Sequence, residues 1–162
     1  MEIRYIKIIM ADIVAGLGLF FALQNVMNLD AAYNSFAYVM SMADHAVYAN
    51  HFGPAITAPW LIWTALVIVV AAEFSVGLLA SKGVWDMWKA RKGSDATFTS
   101  AKHSAIVAAG GGVAIWFGLF GVVGSGYFQM WQTEVGGMSA TGAFEYGVTC
   151  AVILIYLSMK EG

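Results

Sequence analysis

Apolar residues fall in four long blocks separated by more polar stretches. The blocks run from Ile8 to Asn28, Ala58 to Ser81, Ser104 to Tyr127 and Ala143 to Met159. Each is about 17–24 residues long, enough for a helix rising 1.5 Å per residue to cross a ~30 Å hydrocarbon core. Only helices and closed barrels satisfy their backbone groups in lipid, and the blocks lack the alternation of a barrel strand. The pattern predicts an all-α integral membrane protein, a bundle of four transmembrane helices.

The stretch between the first two blocks has a period of its own. Tyr33, Phe36, Val39 and Met40 recur at helical spacing, which predicts a short helix lying on the membrane surface or capping the bundle. Asn50, Gly53 and Pro54 then break the pattern. Trp60, Trp63, Trp131 and Tyr146 mark one membrane interface, and Tyr5, Trp85 and Trp88 the other. No repeat or linker divides the chain, so residues 1–162 are expected to form one domain.

Composition supports this class. The chain is 60% hydrophobic and 11% charged, against about 25% charged for an average soluble domain. Charge then orients the helices. All eight basic residues lie before the first block, between or at the edges of the second and third, or after the fourth. Residues 29–57 and 128–142 contain none. The positive-inside rule places both termini and the middle loop in the cytoplasm. The first block is longer than a signal-peptide core and "ALQNVMN" is a poor cleavage site, so it is expected to remain as a span. The net charge of −2 and the absence of a basic patch exclude a nucleic-acid partner. Cys150 is alone, so no disulfide forms within the chain.

Two acids sit inside apolar blocks, and an ionised acid at mid-bilayer costs about 2.5–3.5 kcal/mol. Glu73 shares a helix face with Val69, Val70, Val76, Gly77 and Ala80. Gly77 and Ala80 are small, so Glu73 is expected to face a neighbouring helix, neutral or hydrogen-bonded. Asp12 shares a face with Ala15 and Gly16, and the two carboxyls could approach and share a proton. Packing is the preferred reading. A proton or cation relay through Asp12 and Glu73 is the alternative.

His45 and His51, with Asp44 nearby, are weak candidates for a copper or zinc site, and ordinary polar loop histidines are the default. His103 falls on the opposite side of the membrane, so paired-histidine haem ligation within the chain is not expected. The third block is rich in glycine. Gly111, Gly112, Gly118, Gly121 and Gly124, with Gly77 of the second block, suit close helix packing or contact with a partner. Six glycines from Gly110 to Gly124 cannot all point inward at ~100° per residue. No catalytic triad, cysteine pair or nucleotide fingerprint is present, so an enzyme is not expected. No cofactor is called for, although a bound lipid or quinone has room beside the glycines.

Four stretches carry a family resemblance that covers nearly the whole chain. They are "NLDAAYNSFAYVMSM", the Glu73 position, "WFGLFGVVGSGYFQMWQ" and "GAFEYG". In these the chain resembles the bacterial predicted small integral membrane proteins, domain of unknown function family 2165. Its "SMADHAVYANHFG" departs from the family's Asp-Thr-Thr-type stretch at that place. The resemblance implies a four-helix protein of a bacterial inner membrane and supplies no reaction. With membrane lipids and a larger membrane-protein complex as the expected partners, the preferred function is a non-catalytic accessory or assembly subunit, with respiratory or oxidase-type hosts. The alternatives are a small ion-coupled transporter and a quinone- or haem-binding anchor.

Overall fold

A computed structural model describes residues 2–161. Within them every regular element is a helix, and four helices are long and apolar enough to cross a membrane. Helix α1 spans Glu2–Met27, and α2, Leu29–Ser41, follows after a break at Asn28. Helix α3 runs Pro59–Ala90 and α4 is the short Asp95–Ala101. Helix α5, His103–Val113, passes without interruption into a π-helical segment, Ala114–Tyr127. A 3-10 turn at Met130–Gln132 leads to α6, Glu134–Ser158.

The spans pack in a ring: α1 on α3, α3 on α5, α5 on α6, and α6 back on α1. The ring closes tightly because small residues line the seams. On α1 the buried stripe is Ala11, Val14, Ala15, Gly18 and Ala22, the i, i+3, i+4 spacing of one helix face. A β-carbon added at Gly18 would lie 2.6 Å from the Gly77 amide nitrogen and 2.7 Å from the Glu73 carbonyl oxygen. The α1–α3 crossing is therefore backbone against backbone. A β-carbon at Gly83 would likewise press on Ala105 of α5.

Helix ends differ most from the hydropathy pattern in α6 and α3. Helix α6 begins at Glu134, although "GGMSATGA" (residues 136–143) is too polar and small to extend the apolar block. Thr133 caps it by accepting from the Gly136 amide at 3.1 Å, satisfying a free N–H of the first turn. Tyr146 then falls in mid-helix and packs on Phe21 and Trp116 rather than marking an interface. Helix α3 continues to Ala90, beyond the apolar block, so much of the basic loop is helical.

The basic residues gather at one end of the bundle. Arg4 donates to the carbonyls of Arg91 and Gly93 and pairs with Asp95. Lys7 and Lys102, which flank apolar blocks in the sequence, are buried there, at 1% and 2% exposure. Their ammonium groups lie 2.9 and 2.6 Å from Glu161 Oε1, and both donate to the Met159 carbonyl. The chain end is thereby held between α1 and the start of α5. Burial alone would raise the Glu161 carboxyl, but the bonds and charges of Lys102 and Lys7 outweigh it and hold the group below its usual value.

The short helix expected in the first long loop is α2. It lies against α3, with Tyr33 stacked on Trp63 at 4.8 Å between ring centres. Met40 is buried with Met42, Ile62 and Phe128 in a second, smaller core at the aromatic end.

Candidate functional site

Three places in the bundle carry chemistry beyond packing. The first is Glu73, in the middle of α3. It is 2% exposed, on the face shared with Val69, Val76, Gly77 and Ala80, all buried. Asn25 Nδ2 donates to Glu73 Oε2 at 3.1 Å. Asn25 lies one turn beyond Ala22 on the packed face of α1, so the stripe that brings the two backbones together also delivers the amide. The Gly18–Ala22–Asn25 spacing was the sequence signal for this partner, and hydropathy alone passes over it.

Asp12 is not part of that site. Its side chain is exposed, whereas the buried stripe runs through Ala11, Val14, Ala15 and Gly18. One residue on a helix is about 100°, so Asp12 is turned off the seam by its place next to Ala11. Gly16, expected beside it at a helix contact, would meet only Phe20 of its own helix. The shared-proton pair of Asp12 and Glu73 is not formed; the α1 partner of Glu73 is Asn25.

The second place is an apolar cavity of about 240 Å³ under α2. Phe36, Val39 and Met40 of α2 roof it, Val69 of α3 forms a wall, and Phe120 and Val123 of the π segment face them. Val69 stands one α-turn from Glu73. π-Helical turns are wider than α-turns and recur at functional sites. Here the segment carries Gly118, Gly121, Gly124 and Gly126, and Gly124 lies on the cavity wall.

The third place is the loop of residues 42–58. It brings His45 and His51 together, with ring centres 5.1 Å apart. Burial and the neighbouring His51 hold the His45 imidazole below its usual value, against a smaller opposite pull from Asp44. No cluster of three or more metal-ligating His, Cys, Asp or Glu occurs among the described residues. His103 is exposed at the start of α5, at the basic end.

The glycines divide into two sets. Gly77, Gly112 and Gly124 are closed in by the protein itself: added β-carbons would meet Leu19, Cys150 and Met130 within 2.6–2.8 Å. Gly111 faces Val76 of α3 at 3.0 Å. Gly110 and Gly118 have nothing within 4 Å, and Gly121 meets only the Trp116 carbonyl of its own segment. The inward and outward sets expected from the helix period are both present.

Four apolar spans packed into one bundle, with a polar pair in its interior, describe a membrane protein, and the sequence bears the family pattern along its length. Residues 3–160 match the predicted small integral membrane protein family DUF2165. The chain belongs to that family. No curated protein and no solved structure matches it.

Proposed function

We propose that this DUF2165 protein is a non-catalytic accessory or assembly subunit of a larger complex in the bacterial inner membrane, with both termini in the cytoplasm. The observation that carries the reading is the open face at Gly110 and Gly118, where a side chain would meet nothing. A glycine in a helix costs about 1 kcal/mol relative to alanine. Lipid returns nothing for that cost, whereas a neighbouring helix gains close backbone packing. The orientation rests on Arg4, Lys82, Lys89, Arg91 and Lys92 gathered at one end. A transporter using Asp12 and Glu73 is less favoured, because one acid faces out and the other is paired to Asn25.

A second reading is favoured by the cavity under α2. Its lining is almost wholly apolar, which suits a lipid chain or the tail of a quinone. That occupant is compatible with a subunit and would make the protein an anchor for it.

Native purification in mild detergent, followed by mass spectrometry of what comes along, tests the subunit reading. Stoichiometric co-purification with larger membrane proteins is expected. Gly110→Leu and Gly118→Leu should each reduce it while the isolated chain melts as before. A lone monomer, unaffected by either change, defeats the subunit reading. Lipid extraction of the same sample reads the cavity.

A further inference from the structure

Two imidazoles in the loop between α2 and α3 approach each other with polar atoms unpaired. The rings of His45 and His51 are 5.1 Å apart at an interplanar angle of 72°. Nδ1 of each is buried and has no hydrogen-bond partner among the described residues. Buried nitrogens without partners are costly, and native folds leave few of them. Here the two unpaired nitrogens belong to neighbouring rings.

The loop that holds them is not slack. Met42 and Asp44 have φ of 53° and 59°, the left-handed region that residues other than glycine seldom occupy. Such backbone persists only where its surroundings hold it. Gln132, beyond the π segment, accepts from the amides of both Val47 and Tyr48 at 2.8 Å. Tyr127 donates to the Pro54 carbonyl at 3.1 Å. One clamp thus lies between the two histidines and the other just after His51. Tyr48 and Phe52 add edge-on contacts to Trp131 and Tyr127. The histidines lie six positions apart in sequence, and these clamps turn that spacing into proximity.

We propose that His45 and His51 form a two-imidazole site for a divalent transition cation, copper(II) or zinc(II). Imidazole is the ligand these borderline ions favour, while calcium and magnesium require sets of oxygens. Two protein nitrogens leave further coordination positions. Water fills them, or the exposed carboxylate of Asp44, which receives the Tyr38 hydroxyl at 3.1 Å, supplies one. The site is distinct from the Glu73–Asn25 pair and does not depend on the subunit reading.

The test uses the full chain in detergent without a polyhistidine tag. Copper(II) and zinc(II) are titrated separately by calorimetry, with calcium as the hard-cation control. One transition ion per chain is expected, with no calcium uptake. His45→Gln and His51→Gln should each weaken binding by about tenfold or more, and His103→Gln should leave it unchanged. Gln132→Ala, which releases the loop without touching a ligand, should weaken it as well. Electron paramagnetic resonance of the copper-loaded wild type counts imidazole nitrogens and needs no variant to fold; two are expected. The proposal is overturned by no uptake, by uptake that survives both histidine changes, or by a copper signal with fewer than two imidazole nitrogens. Uptake of one metal and not the other assigns the site to that ion.

Discussion

The carboxamide of Asn25 donates to Oε2 of Glu73 at 3.1 Å, beside the point where Gly18 and Gly77 let α1 and α3 meet backbone to backbone. The two features depend on each other. Close approach brings the amide within reach, and the amide satisfies a carboxyl that close approach has removed from lipid. Glu73 is best understood as a pin between the first two spans.

Glu73→Gln should therefore keep the fold, since an amide can still exchange a hydrogen bond with Asn25. Asn25→Ala removes the donor and should cost about 1 kcal/mol, in the range of interhelical hydrogen bonds in membranes. Glu73→Lys puts a cation in the same buried position and should prevent assembly of the bundle. Unfolding in a denaturing detergent titration reads all three. A loss in Glu73→Gln as large as that in Glu73→Lys would show that the carboxyl does more than pin.

Size should matter at Gly18 and not at Gly118. A valine at Gly18 drives atoms into the α3 backbone, which cannot rotate aside, so destabilisation of about 1–3 kcal/mol or more is expected. Valine at Gly118 meets open space and should leave the isolated chain within about 0.5 kcal/mol of the parent. Thermal melting of the two variants, purified alone, makes the comparison. Equal destabilisation would contradict the assignment of Gly118 to an outward face.

The chain end should act as an acid-sensitive latch. Glu161 bridges Lys7 and Lys102, and removing it as Glu161→Ala leaves two buried cations, a change that typically costs about 3–5 kcal/mol. The Glu161 carboxyl is held below its ordinary value in the folded state. Its contribution is therefore complete above the usual glutamate value of about 4.3 and is lost as pH falls through the lower folded value. Wild-type stability measured from pH 7 downward should drop in that acid range, and Glu161→Gln should flatten the drop. An unchanged acid limb in Glu161→Gln would assign the drop to other carboxylates.

Orientation is open to a reporter experiment. With both ends in the cytoplasm, a C-terminal alkaline phosphatase fusion should be inactive in vivo and a C-terminal green fluorescent protein fusion bright. A fusion at Ala55, in the loop at the aromatic end, should give the reverse. High phosphatase activity at the C-terminus would invert the assignment.

The sequence by itself determined the four spans, the helix α2 and the side of the bundle on which the basic residues lie. The reason is that a hydrocarbon slab leaves an apolar run of about 20 residues essentially one structure, a helix. It also placed Glu73 correctly, because Val69, Val76, Gly77 and Ala80 share its face at helical spacing. It could not rank Asp12 against Glu73: both lie beside small residues, and only the rotation of α1 about its axis turns one out and the other's partner in. The start of α6 escaped hydropathy because "GGMSATGA" is held helical by the Thr133 cap and by packing of Gly136 on the 3-10 turn. Lys7 and Lys102 read as flanking charges, yet they converge on Glu161 from 154 and 59 positions away. The histidine pair likewise waits on Gln132, some 85 positions from the backbone it clamps. Local spacing encodes which face of a helix is apolar, whereas contacts between distant segments exist only once the bundle has closed, and the polar chemistry of this protein lies in those contacts.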